Sequence, residues 1–319
     1  MNKLISIVTP CFNEKDNIDE LCGRIQATMD GLNYRYEHIF IDNCSTDGTV
    51  QKIKEIAAKD KRVKLIVNVR NFGHIKSPYY ALLQSRGDAC VLIASDLQDP
   101  PEMIKDFIEK WEEGFNTVLA VKPESKESPL MFFIRKIYYK LITKISEVPL
   151  VKNATGAGLF DRKVLEILRK LDDPYPYFRG LVCEVGGPIA TVPFTQPRRA
   201  RGVTKNNFFT LYDLAMLGIT NHSKVPLRLM TMMGFAISVV SFLVAIGFFV
   251  AKLFFWNSFE LGMAPVIIGL FFFCSVLTFF MGVLGEYIGS IHTQIRNMPL
   301  VIEAERINFD PDSEMKDTN

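Results

Sequence analysis

Apolar positions along this chain come in two forms. As far as residue 121 they fall in short runs: Leu4 to Val8, His38 to Ile41, Val63 to Val67, Ala89 to Ala94 and Thr117 to Val121, each of strand length and mostly β-branched. Between them, segments such as Asn17 to Met29 and Thr49 to Ala58 carry apolar residues at helical spacing. Strand and helix in alternation predict an α/β domain built on a parallel, doubly wound sheet.

The second form is longer. No charged residue occurs from Leu229 to Ala251, between Arg228 and Lys252, nor from Leu261 to Gly285. Each run exceeds the roughly 20 residues that cross a bilayer core, so both read as transmembrane helices. The alternative, a pair of buried core helices, would need a very large soluble core. The connection from Lys252 to Glu260 is short, which makes a hairpin with both outer ends on one side. Lys224, Arg228 and Arg296 flank those ends against Lys252 alone in the connection, and the positive-inside rule then puts both termini in the cytoplasm.

Two further stretches bear on the membrane. Leu130, Phe133, Ile134, Ile137, Leu141 and Ile145 recur at helical spacing, with Lys136, Lys140 and Lys144 on another side. A basic, aromatic-bearing amphipathic helix over about 128–147 suits the membrane interface; an ordinary surface helix has the same pattern. A second such helix is expected over 207–220, on weaker periodicity. The predicted organisation is a domain over 1–226, two membrane helices over 227–293, and a cytoplasmic tail over 294–319 that is disordered from Glu303 on, since its close is acidic and polar.

Composition narrows the compartment and the partners. The formal net charge is +2, with 37 basic residues against 35 acidic ones, which gives no general ground for nucleic-acid binding. Cys11, Cys22, Cys44, Cys90, Cys183 and Cys274 form no C-x-x-C pair and read as reduced thiols. The opening MNKLISIVTP has too short an apolar run for a signal peptide.

In parallel α/β sheets, ligands bind beyond the carboxyl ends of the strands. The polar residues there are Thr9, Pro10, Asn13 and Glu14 after the first run, Asp42, Asn43 and Ser45 after the second, Asn71 and His74 after the third, and Asp96, Gln98 and Asp99 after the fourth. No G-x-G-x-x-G follows the first strand, so a dinucleotide site is unsupported. The stretch SDLQDPPE puts two carboxylates and an amide ahead of two prolines; taken alone, it is equally a capped turn opening a helix.

Four motifs in order, IVTPCFNE, IDNCSTDGT, SDLQDPPE and RRARGVTKNNF, resemble the family 2 glycosyltransferases of the GT-A fold. The likeness extends to the membrane-anchored polyprenyl-phosphate sugar transferases, similar to bactoprenol glucosyltransferase and dolichyl-phosphate mannose synthase, and it covers nearly the whole chain. It implies that Asp96 and Gln98 hold Mg²⁺ or Mn²⁺ with Asp99 as a nearby support, and that Glu14 and Asp42 fix the base or ribose of the donor, in a donor-binding set with Thr9, Pro10 and Ser45. Arg199, Arg201 and Lys205 match an R-x-R-G-x-[ST]-K pattern and would bind the acceptor phosphate or the leaving diphosphate. Arg179 in PYFRGLVCE is a further phosphate candidate, and a helix-flanking salt bridge explains it equally well. A juxtamembrane segment held to anionic lipid would also explain that basic run. His222 and His292 have no metal-ligand spacing.

The chain departs from the family pattern at three places. Ala94 stands where a carboxylate usually precedes Asp96, Asn43 follows Asp42 where paired aspartates are frequent, and no acid lies near Gly156. A base is dispensable when the acceptor is a phosphate monoester, whose second pKa of about 6 leaves it largely anionic at neutral pH. The resemblance implies an inverting enzyme of the cytoplasmic membrane that moves one sugar, most readily from a UDP-sugar, to undecaprenyl phosphate, working as a homo-oligomer. Two other readings stay open: a catalytically impaired membrane scaffold or partner subunit, and a processive polysaccharide synthase. The second lacks its Q-x-x-R-W element here, Trp111 and Trp256 standing in neither context.

Overall fold

The computed structural model describes residues 3–122, 151, 153–171, 173–195, 216, 220, 223–254, 263–296 and 298–309. The five predicted strands are present as β1 (Leu4–Cys11), β2 (Arg35–Asp42), β3 (Val63–Asn68), β4 (Ala89–Leu92) and β5 (Thr117–Val121). The helices between them are α1 (Lys15–Asp30), α2 (Thr49–Lys59), α3 (Gly73–Leu83) and α4 (Met103–Glu112). After β5 the chain adds β6 (Ala154–Asp161), α5 (Arg162–Leu171), α6 (Phe178–Glu184) and β7 (Ile189–Pro193). Two long helices follow, α7 (Val225–Phe254) and α8 (Met263–Ile295), and then β8 (Glu303–Ile307).

The strands form one eight-stranded sheet in the order β7-β5-β6-β4-β1-β2-β3-β8. It is mixed, which corrects the expected all-parallel sheet. β1, β2, β3, β4, β5 and β7 run one way, while β6 is inserted antiparallel between β4 and β5, and β8 is antiparallel on the edge of β3. Helices cover both faces. Ile18, Leu21 and Ile25 of α1, Ile53 of α2 and Phe107 of α4 pack on one side. Tyr79 and Leu82 of α3, Leu165 and Leu168 of α5, and Leu181 of α6 pack on the other. Burial from both faces is why the inner strands read as continuous apolar runs rather than alternating ones.

Within the tail expected to be disordered, Glu303–Ile307 forms a strand. β8 pairs Glu303 with Asn68 and Ile307 with Leu65, and polar contacts that no local pattern announces hold it there. Arg306 Nη2 reaches Glu303 Oε1 at 2.6 Å, Gln84 Oε1 at 3.0 Å and the Tyr80 hydroxyl at 3.2 Å. Asn308 Nδ2 donates to the carbonyls of Ala57 and Val63, both at 2.8 Å. A polar edge strand of this kind also covers the edge of β3, which would otherwise stay open to pairing.

α7 and α8 are long and apolar enough to cross a membrane, through Val225–Val244 and Gly269–Ile295, and neither window is buried inside the protein. Phe235 is 72% exposed and Phe271 70%, the opposite of a core helix. The Tyr287 hydroxyl donates to the Ser223 carbonyl at 2.7 Å, joining the end of α8 to the approach to α7. The predicted amphipathic helix over 128–147 lies outside the described residues, as does all of the 207–220 stretch but Met216 and Thr220.

Strand direction decides what meets where. The carboxyl ends of β1 to β5 and β7 share one rim with the amino ends of β6 and β8, as the pairs Ala154 with Val121 and Glu303 with Asn68 show. Residues 296–302 join α8 to that rim, a span of at most roughly 25 Å. The chain also departs for α7 from that rim, at the end of β7.

His38 in β2 is buried, with Nε2 2.9 Å from Thr9 Oγ1 and its ring 4.0 Å from that of Phe40. Burial pushes its pKa from 6.5 down to about 3, with Asp60 opposing. The unfolded chain therefore takes up a proton below pH 6.5 that the folded chain refuses until about pH 3, so this histidine's stabilising contribution is complete above 6.5 and declines through that window. By pH 4.5 the loss is about 2–3 kcal/mol. His38→Gln should flatten the fall in thermal midpoint measured in detergent between pH 7 and pH 4.5; an unchanged slope would refute the assignment.

Candidate active site

Four residues other than glycine sit in the left-handed region at this rim. They are Asn13 (φ 57°) after β1, Cys44 (φ 66°) after β2, Leu97 (φ 58°) after β4 and Asn153 (φ 60°) before β6. Such conformations cost energy and persist where surrounding bonds fix them, which is common at functional sites. Here those bonds cross between loops. Asn13 N donates to Ser45 Oγ and Thr46 N to Asn13 Oδ1, both at 2.8 Å. Glu14 N donates to Thr49 Oγ1 at 3.0 Å and Lys15 N to Asp47 Oδ2 at 3.1 Å. The first two loops thus form one bonded unit.

Asp42 anchors that unit from below. It is wholly buried; Ser45 N donates to its Oδ2 at 2.8 Å, and the Ser45 hydroxyl and the Cys11 thiol reach Oδ1. Burial raises its pKa and the bonds from Ser45 pull it back. Asn43 ties the unit to the next loop. Its Oδ1 accepts from Phe72 N at 2.9 Å and Asn68 Nδ2 at 3.1 Å, while its Nδ2 donates to the Gly73 carbonyl at 3.0 Å. An aspartate has no donor for that carbonyl, so Asn43 has a structural reason to be an amide.

After β4 the left-handed Leu97 turns the chain back, and Asp96 Oδ1 accepts from Gln98 N at 3.2 Å. Asp99 is 9% exposed, and its Oδ1 is buried without a hydrogen-bond partner. Burial raises its pKa to about 6, helped by the Asp96 charge and opposed by Lys122, the Ala94 amide and Arg179. Arg179 is held by its own bond, Nη2 to the Thr155 carbonyl at 2.6 Å, over Gly156 with its φ of 111°. Burial, and after it the Arg179 charge, lowers the pKa of His74.

A family profile described as Glycosyl transferase family 2 matches residues 6–168, the span that builds all of these loops. The chain belongs to glycosyl transferase family 2. Among curated relatives, the glycosyltransferase YkcC of Bacillus subtilis is 34% identical, over 93% of this chain and 92% of its own length. The SfII prophage-derived bactoprenol glucosyl transferase of Shigella flexneri is 33% identical, over 93% and 96%. The Synechocystis glycosyltransferase sll0501 is 30% identical, over 94% and 95%. Among solved structures, glucosyl-3-phosphoglycerate synthase of Mycobacterium tuberculosis, crystallised with Mn²⁺, UDP-glucose and phosphoglyceric acid, is 20% identical over 68% of this chain and 78% of its own, with a TM-score of 0.45.

As a family 2 glycosyltransferase with the mixed sheet of the GT-A type, the protein brings most of its expected site residues to one rim. Asp96, Gln98, Glu14, Pro10 and Ser45 stand there half-buried, and Arg179 joins them from α6. Thr9 and Asp42 lie beneath, wholly buried and engaged by His38, Ser45 and Cys11. They shape the loops from within. Arg199, Arg201 and Lys205 lie outside the described residues. Lys122 at the end of β5 is an addition that the sequence did not flag, because its nearness to Asp99 depends on β6 lying between β4 and β5.

Among the described residues, no three of His, Cys, Asp and Glu gather as a metal-binding group. Two carboxylates and the Gln98 amide oxygen still fit a hard divalent cation. Mg²⁺ sites that serve phosphate substrates commonly use one or two protein carboxylates and draw their other ligands from phosphate and water. The unpartnered Asp99 oxygen beside Asp96 agrees with such an occupant.

Asn43→Asp should lower the thermal midpoint by an amount equivalent to about 1–3 kcal/mol, because it removes the donor to Gly73 and sets a charge against that carbonyl. A midpoint equal to wild type would show that the amide has no such role.

Proposed function

We propose that this glycosyltransferase moves one sugar from a nucleotide donor, a UDP-hexose, to undecaprenyl or another polyprenyl phosphate at the cytoplasmic face of the membrane. One observation carries the reading: the rim that bears Asp96, Gln98 and Arg179 is the rim from which the chain leaves β7 and to which it returns, through the short segment between α8 and β8, after both apolar helices. Two crossings return the chain to the side it left, so the sheet and both outer helix ends share one side of the bilayer, and a lipid phosphate would arrive there. The relatives named as bactoprenol glucosyl transferases support the acceptor class.

The chemistry is a single in-line displacement. An oxygen of the acceptor phosphate forms a bond to the anomeric carbon as the bond from that carbon to the nucleotide diphosphate breaks, which inverts the centre. The acceptor oxygen is already anionic at neutral pH, so no residue has to remove a proton. Asp96 and Gln98 would hold a divalent cation, Mg²⁺ or Mn²⁺, whose charge offsets that gathering on the leaving diphosphate. Glu14 and the loops bound to Asp42 would seat the nucleoside. Arg179, with Arg199, Arg201 and Lys205, would clamp phosphate oxygens, since a guanidinium matches them in a bidentate fork.

The test is transfer of labelled sugar from UDP-, GDP- and dTDP-sugars to undecaprenyl phosphate by the purified full chain. One labelled lipid carrying a single sugar is expected, lost on chelation and reduced by about 100-fold or more in Asp96→Ala. A polymeric product, or no transfer from any donor by folded protein, would overturn the proposal; full activity in Asp96→Ala would remove the cation from it.

A further inference from the structure

We infer that Asp99 is a third protein oxygen ligand of the cation at this rim, taking the part of the carboxylate that the chain lacks at Ala94. The inference rests on Asp96 and Gln98 being the other two. Asp99 lies nine-tenths buried, and a carboxylate oxygen buried without a partner carries a desolvation cost that nothing offsets. Buried polar atoms are otherwise satisfied almost throughout a native protein, so an orphan at a site points to a missing occupant. Lys122 and Arg179 lie near enough to act on the Asp99 charge, yet neither donates to Oδ1.

The local backbone explains how a residue three places after Asp96 reaches the same point. Leu97 in the left-handed region reverses the chain, the Gln98 amide folds back on Asp96, and the Ala94 amide donates to the Asp99 carboxylate. Residue 94 and the Asp99 side chain are therefore neighbours. Two carboxylates and an amide oxygen form an all-oxygen set suited to Mg²⁺ or Mn²⁺.

The experiment measures Mn²⁺ affinity by electron paramagnetic resonance on the full chain in detergent with UDP present. Wild type should bind, Asp96→Asn should lose binding, and Asp99→Asn should weaken it about tenfold or more. Adding Ala94→Asp to Asp99→Asn should return the affinity to within about threefold of wild type, a recovery that a purely structural role for Asp99 would not give. Wild-type affinity in folded Asp99→Asn, or no recovery in the double variant, overturns the inference while leaving Asp96 in place. Absence of Mn²⁺ binding by wild type overturns it together with the reading of Asp96 and Gln98. Should Asp99→Asn fail to fold, electron–nuclear double resonance on wild type with ¹³C-labelled aspartate carboxyls decides: two carboxylates on Mn²⁺ are expected, and one overturns the inference.

Discussion

A chain that leaves a sheet, passes through two long apolar helices and returns to pair with the same sheet has little freedom in where it puts those helices. The β3–β8 ladder imposes that constraint here. It seats Glu303 opposite Asn68, so the segment arriving from α8 ends at the rim formed by the carboxyl ends of the parallel strands. The departure toward α7 starts from the end of β7 on the same rim. A ligand site at that rim, where α/β sheets place their ligands, therefore lies where the chain comes back from the apolar helices. In the proposed function this is how one site serves a soluble nucleotide and a lipid phosphate.

The rim is shaped by bonds between loops. Asn13, Cys44 and Leu97 take conformations that favour glycine, and the loops after β1 and β2 are stitched by Ser45, Thr49, Asp42 and Asp47. Asn43 extends the stitching to the start of α3. The nucleotide pocket of the proposed reaction is then largely set before a donor arrives, which lowers the ordering cost of binding. In the Asp96–Asp99 turn, where the cation is proposed to bind, Asp99 Oδ1 is buried without a hydrogen-bond partner.

Much of this was legible along the chain, and the failures have physical causes. The five inner strands were legible because burial on both faces leaves continuous β-branched runs, and α1 and α2 because each has one apolar face. β6 was hidden: its glycines weaken the strand pattern, and its position between β4 and β5 depends on pairing far along the sequence. β8 was misread as disordered because AERI looks solvated by composition; Arg306, Tyr80 and Gln84 make it a strand through contacts across more than two hundred residues. Asn43 looked like a departure from a family pattern until its three hydrogen bonds gave it a role. Residue type at the rim was readable, but the depth of Thr9 and Asp42 beneath it was not.

In the proposed function, one rim holds the donor nucleotide and faces the bilayer. The most direct measurement is an experimental structure of the full chain in a lipid nanodisc with UDP and Mn²⁺. The account predicts nucleotide density against Glu14, Ser45 and Asp96, on the side of the sheet that looks onto the lipid surface. Nucleotide bound elsewhere, or at this rim with the rim turned away from the bilayer, would contradict it.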